Sequence, residues 1–173
     1  MKISESIKKR RSIRRFSGRD LTDDDMQLLV EAAHLAPSAG NLQPWEFVAV
    51  REEGNKRRLA EAAHGQSFIA EAPIVFVICA VPERSATRYG KRGVELYCLQ
   101  DTAAAVQNLL LTAAHNGLGG CWVGAFDEKK AAEAVGAPPG VRPVAIVPVG
   151  YPAESPAPRP RRDLSEVVHW ERF

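Results

Sequence analysis

Apolar residues recur at helical spacing from Asp23 to Ala36, where Met26, Leu29, Val30, Ala33 and Leu35 define one face and predict an amphipathic helix. Thr22 stands where an N-cap belongs, and Asp23, Asp24 and Asp25 put negative charge at the positive helix end. An acidic triplet can also hold a divalent metal, but the start of a helix gives it the simpler structural role. Trp45 to Val50 then reads as a strand. Between helix and strand, Pro37 and Pro44 fix φ at both ends, Gly40 permits positive φ, and Ser38, Asn41 and Gln43 offer uncharged donors and acceptors. This inventory suits a neutral polar ring, and equally an ordinary helix-to-strand connector.

A short helix is expected from Ser4 to Arg10, with Ser4 as its cap and Ile3 and Ile7 four apart. Gly54 to Ala63 predicts another helix and Phe68 to Glu71 a helical turn. The continuous run Ile74 to Ala80 predicts a central strand covered on both faces by helices. Val81 to Leu96 breaks the pattern. Pro82, Gly90 and Gly93, with Arg84, Arg88, Lys91 and Arg92 around Tyr89, read as a mobile excursion, either a lid whose cations meet a carboxylate or phosphate or a plain surface loop.

Asp101 to Leu118 is apolar nearly all round, which predicts a helix buried on more than one side. In a chain of 173 residues that means a central helix or a subunit interface, hence a homodimer. His115 near its end fits a dipole partner better than a catalyst. Gly119 to Asp127 reads as a glycine-flanked strand that something flat could approach, or one whose glycines only serve the turns. Glu128 to Val135 is a helix closed by Gly136, and Arg142 to Tyr151 is the last core strand, where Pro148 argues for a bulge or an edge. Pro152, Pro156, Pro158 and Pro160 then make an extended arm whose Leu164, Val167, Val168 and Trp170 need a surface to dock on, such as a partner subunit.

The length suits one domain over 1–173, with 151–173 as its arm. Lys and Arg number 23 against 21 Asp and Glu, and the resulting net charge of +2 does not point to nucleic acid or membrane. The arginines nevertheless cluster at both ends, in Arg10, Arg11, Arg14 and Arg15 around Ser12, and in Arg159, Arg161 and Arg162. Such runs are solvated surface, a nucleic-acid arm, or forks and a hydroxyl matched to phosphate oxygens. Cys79, Cys98 and Cys121 form no C-x-x-C pair and read as buried thiols in a reducing cytosol, supporting neither a disulfide frame nor a zinc site. No run approaches the roughly 18 apolar residues of a membrane span, and the charged N-terminus lacks a signal-peptide core, so a cytoplasmic protein is expected. Motifs of hydrolases, zinc proteases, P-loop proteins and dinucleotide-binding turns are missing, and the four histidines are scattered.

Several segments, in order, resemble the nitroreductase family of FMN-dependent oxidoreductases over nearly the whole chain. They are Arg10-Arg11-Ser12-Ile13-Arg14-Arg15-Phe16; Ala36 to Trp45, which reads A-P-S-x-x-N-x-Q-P-W; Gly117-Leu118-Gly119; Trp122-Val123-Gly124; Gly150-Tyr151-Pro152; and a basic arm before Val167-Val168-His169-Trp170. The resemblance implies an α+β sandwich with a central mixed sheet flanked by helices, and an obligate homodimer with exchanged C-terminal arms and two interfacial FMN sites. It also implies site residues. Arg10, Arg11, Ser12 and Arg14 would hold the FMN phosphate and ribityl region, and Pro37, Ser38 and Asn41 would reach the flavin from the other subunit. Backbone N–H groups of Gly124 and Ala125 would face flavin N5 and O4, while Arg161 and Arg162, with Arg159, would complete the phosphate site. The expected reaction is ping-pong hydride transfer from NADH or NADPH through the flavin to a nitroaromatic or quinone, and a flavin explains why the chain carries no side-chain nucleophile or acid. The excursion at 82–96 is short beside the helical lids of many relatives, which leaves the acceptor open. The rival readings are an FMN-binding protein without turnover and a basic nucleic-acid module, the latter disfavoured by the small net charge.

Overall fold

A computed structural model describes residues 2–173. Its strands are β1 (Trp45–Val50), β2 (Ile74–Ala80), β3 (Gly119–Gly120) and β4 (Arg142–Gly150), ordered β1-β2-β4-β3 in one sheet. The run of β-branched residues in β2 is buried at every position. Its period of two divides it between two cores. Ile74, Phe76 and Ile78 face helices α2 (Asp23–His34) and α6 (Cys98–His115), while Val75, Val77 and Cys79 face α3 (Glu53–Ala62), α4 (Phe68–Glu71) and α7 (Glu128–Val135). The fold is an α+β sandwich with its sheet between two helical layers.

Every pairing between these strands is antiparallel, so the expectation of a mixed sheet is corrected. Each connection returns its strand antiparallel to its neighbour, and among the described residues parallel pairing is confined to an isolated bridge, Ser12 to Gly120, at the β3 edge. Pro148 is tolerated inside the sheet because its carbonyl accepts from Cys121 N–H at 3.2 Å, turning its hydrogen-bonding edge toward the short β3 rather than β2. The bulge falls at Val144, where Ile78 and Cys79 pair with Ala145 and Pro143. The strand expected over Gly119–Asp127 shrinks to β3 and a bridge from Val123 to Ile146.

Thr22 caps α2 in a reciprocal box with Asp25, which gives the acidic triplet its structural role. Gly136 closes α7 in the left-handed conformation, φ 65°. Ser4 precedes α1 (Glu5–Lys9) without a side-chain cap; its carbonyl accepts from Ile7 and Lys8 instead. The expected excursion after β2 is helical: α5 (Pro82–Arg92) starts with proline at its first turn and continues through a π-helical turn, Gly93–Tyr97, into α6. Gly90 bends α5 without ending it, at φ 51° and ψ −135°. Gly93 is held to glycine by packing, since a Cβ there would stand 2.4 Å from the Ser85 carbonyl oxygen. Among the described residues no helix is long and apolar enough to cross a membrane.

Candidate functional site

The basic N-terminal stretch is pinned along both edges. Arg11 folds its guanidinium back onto the carbonyls of Lys8 (2.7 Å) and Arg10 (2.8 Å), meeting the negative end of α1. Beyond it, Ile13 N–H donates to Gly120 O at 3.1 Å on one side. On the other side Ser17 N–H donates to Tyr151 O at 2.8 Å and Ala153 N–H to Arg15 O at 2.9 Å. Glu154 adds a carboxylate clamp, its Oε1 accepting from the N–H groups of Arg14 (2.6 Å) and Arg15 (3.0 Å). Glycine is needed where this strip meets the sheet: a Cβ on Gly119 would lie 2.4 Å from Ile13, and one on Gly150 would lie 2.6 Å from Pro73 and 2.9 Å from Phe16. The close approach near Gly119 is therefore made by Ile13, within the chain.

Arg10, Arg11, Ser12 and Arg14 of this strip line a cavity of about 580 Å³ with Arg159 and Arg161 of the arm, Arg161 also donating to the carbonyls of Arg159 and Pro160 at 3.1 Å. Guanidinium forks and a hydroxyl form a donor set suited to a phosphate. Glu154 is the one carboxylate in the wall, and its Oε1 is already engaged. Arg162 stands apart, paired with Glu166 at 2.9 Å. Next to the arginines, burial pushes the Cys121 thiol up in pKa, with Arg14, Ser12 and Arg10 acting in the opposite direction.

From Cys121 the chain emerges to the surface at Trp122, Gly124 and Ala125. Among the described residues neither the Gly124 nor the Ala125 N–H donates within the chain, and the space over Gly124 is open, with Trp122 Nε1 the nearest atom to a built Cβ at 4.0 Å. Beside this pair of exposed residues, Gln66 Nε2 donates to Ala125 O at 3.4 Å; elsewhere in the chain Arg14 stacks over Phe68 at 5.7 Å.

Pro37, Ser38 and Asn41 do not line the arginine cavity. Their loop is a rigid object of its own. Gly40 (φ 58°), Asn41 (φ 55°) and Gln43 (φ 48°) are all left-handed, and Gln43 N–H donates to Ser38 Oγ at 2.9 Å. The Trp45 indole donates to His34 Nδ1 at 3.2 Å, anchoring the exit of the loop to α2. Asp101 of α6 accepts from Ala39 N–H at 3.1 Å, and Arg84 of α5 donates to the carbonyls of Gln43 (2.8 Å) and Trp45 (3.2 Å). Pro37 and Asn41 remain exposed. One chain therefore carries its predicted site residues as separate groups: an arginine cavity, a pair of exposed backbone donors and a braced polar loop.

Sequence reasoning missed Glu154 and Asp101, and read Arg84 as a cation of a lid or surface loop rather than a brace on the Pro37–Gln43 loop. Glu154 and Arg84 act across 140 and 41 residues, so no local pattern announces them. Asp101 did leave a signal, an acid within a helix apolar nearly all round.

Comparison with known proteins bears on the family and the fold. The family model described as "Nitroreductase family" matches residues 7–68 and 63–151. An NADH dehydrogenase of Thermus thermophilus is 34% identical over 189 residues, covering 94% of this chain and 92% of that protein. The NADPH:FMN oxidoreductase of Vibrio harveyi, solved in complex with NAD+, superposes with a TM-score of 0.89 at 28% identity, covering 98% of this chain and 76% of that one. A nitroreductase of Bacillus subtilis gives 0.88 at 28% identity, over 97% and 73% of the two chains. With the family model matching most of its length, the chain belongs to the nitroreductase family.

Proposed function

We propose that this chain is an FMN-dependent NAD(P)H oxidoreductase whose flavin is held jointly by two copies of the chain. The observation that carries this reading is the lining of one cavity by Arg10, Arg11, Ser12, Arg14, Arg159 and Arg161, in a chain whose Gly124 and Ala125 N–H groups make no hydrogen bond among the described residues. The donor set fits FMN: the guanidinium groups match a terminal phosphate, and free backbone donors match the polar edge of the ring. Bound there, FMN would supply the two-electron chemistry at its N5, between NADH or NADPH and a nitroaromatic or quinone acceptor. The family and the flavin and nicotinamide reductases among its relatives support the same reading.

The chain's own residues bind and orient. Arg10, Arg11, Ser12 and Arg14, with Arg161 and Arg159 of the arm, hold the phosphate and ribityl end, and Arg162 joins them on release from Glu166. The N–H groups of Gly124 and Ala125 hold the N5 and O4 edge. A second copy supplies Pro37, Ser38 and Asn41, because these lie apart from the arginine cavity within one chain. Donor and acceptor then use one pocket in turn, a ping-pong order.

The homodimer explains the arm. Leu164, Val167, Val168, Trp170 and Phe173 are exposed in the single chain, Trp170 at 86%, and exchange of arms between subunits covers them. The chain acts as one FMN-binding domain over 1–173, and three free buried thiols, one of them (Cys79) pushed up to about 11 by burial, fit a reducing cytoplasm.

The test is optical. Protein reconstituted with FMN and mixed anaerobically with NADH or NADPH should lose its yellow absorbance and regain it when a quinone or nitroaromatic is added. Retention of FMN without bleaching by either nicotinamide would leave a flavin-binding protein and remove the reductase.

A further inference from the structure

The loop from Pro37 to Gln43 places three left-handed residues within four positions, two of them not glycine. Left-handed conformations outside glycine cost free energy and persist only where surrounding contacts enforce them. Two contacts do so from outside the loop. From α6, the buried Asp101, 7% exposed, accepts at Oδ1 from Ala39 N–H at 3.1 Å. From α5, Arg84 spans the loop's exit, donating to Gln43 O at 2.8 Å and Trp45 O at 3.2 Å, while Glu46 holds its other nitrogen at 2.6 Å. Asp101 Oδ2 is buried with no partner, so the carboxyl is spent on the loop alone.

We infer that Arg84 and Asp101 are positioning residues for FMN, acting through the Pro37–Gln43 loop. This rests on the reading that the loop faces a flavin. The brace fixes the loop's side chains before the ligand arrives, so binding need not order them. It also gives α5 a role. Tyr89 Oη and Arg88 pack where a Gly40 Cβ would stand, at 2.8 and 3.0 Å, so the helix backs the loop as well as gripping its exit. Arg84 does not line the arginine cavity; removing it releases two carbonyls and lets the left-handed turn relax.

The test is a double-mutant cycle on FMN affinity, read by quenching of flavin fluorescence as apoprotein is titrated. Arg84→Met should raise the FMN dissociation constant on the order of tenfold. Arg84→Lys, which keeps the charge but loses the fork, should fall between. Asp101→Ala should weaken binding comparably, while Asp101→Asn, which keeps an acceptor for Ala39 N–H, should restore it. In an Asn41→Ala background, which removes a flavin-facing group from the same loop, Arg84→Met should add less than about threefold, because both changes act through one element. Should Arg84→Met fail to fold, Glu46→Gln loosens the same guanidinium from an exposed position and should weaken FMN by about two- to threefold. Full multiplication of the Arg84 and Asn41 effects overturns the inference, as does unchanged FMN affinity in Arg84→Met when Asn41→Ala lowers it. Unchanged affinity in Asn41→Ala itself removes the loop from the flavin site, and the brace with it.

Discussion

Gly119 and Gly124 lie five residues apart and should respond to alanine in opposite ways. At Gly119 the new methyl would stand 2.4 Å from Ile13 Cγ1 and 2.8 Å from Ile13 Cβ, against an ordinary contact of at least 3.4 Å. Ile13 must therefore move by about 1 Å, the difference between 3.4 and 2.4 Å, and its Cβ has no rotamer by which to escape. Overpacking of this kind costs about 1–3 kcal/mol. Reduced freedom of the unfolded chain offsets about 0.4–1 kcal/mol, leaving a net loss of about 1–2 kcal/mol. For a chain of this size that lowers Tm by roughly 2–8 °C. Ile13 stands between Ser12 and Arg14, and its N–H bond to Gly120 ties the basic strip to the sheet, so FMN affinity should fall with stability. Gly124→Ala meets nothing closer than 4.0 Å and should stay within about 0.5 kcal/mol of the parent in stability. If Gly124 faces the flavin edge as proposed, the added methyl should weaken FMN and slow turnover. Thermal melts of the apoproteins and FMN titrations of the same samples separate the two effects. An unshifted Tm with unchanged FMN affinity in Gly119→Ala, or a destabilised Gly124→Ala with normal FMN affinity, would refute the reasoning.

Burial raises the pKa of the Asp101 carboxyl above its ordinary 3.8, outweighing the Ala39 hydrogen bond that lowers it. A raised folded-state value means that its contribution to stability is present below the unfolded pKa and lost as pH rises through the folded one. Asp101→Asn, uncharged throughout, should therefore gain on the parent between pH 3.5 and 7 in denaturant midpoint; a difference constant with pH would contradict this. Deleting residues 157–173, exposed throughout in the single chain, should leave far-UV circular dichroism unchanged while abolishing FMN retention and lowering the sedimentation mass to that of a monomer. An FMN-retaining dimer would place the arm outside the site.

Much of this fold was legible because its periodicities are strong. The Ile74–Ala80 run, buried at all seven positions, reads directly as a strand between helical layers, and Thr22 and Gly136 mark their helix ends by local chemistry. Strand direction was not legible, since it depends on how each connection crosses the sheet. Helix α5 was hidden by Gly90 and Gly93, which look like breakers in sequence but serve as a kink and as a close contact with Ser85. At the candidate site, the arginines and the loop residues were proposed from type and order. That one chain holds them apart follows from tertiary placement, and the residues that brace them, Glu154, Arg84 and Asp101, work through contacts distant in sequence.

The claim that each flavin is shared between two copies can be tested by complementation. Arg11→Ala and Asn41→Ala homodimers should each retain little FMN, because every site lacks one contributor. Mixed and re-annealed to heterodimers, they should form one intact site and one doubly defective site per dimer, restoring FMN to about half the parent stoichiometry in the heterodimer fraction. Heterodimers that bind no more FMN than either parent variant would place both residues in the same subunit's site and contradict the account.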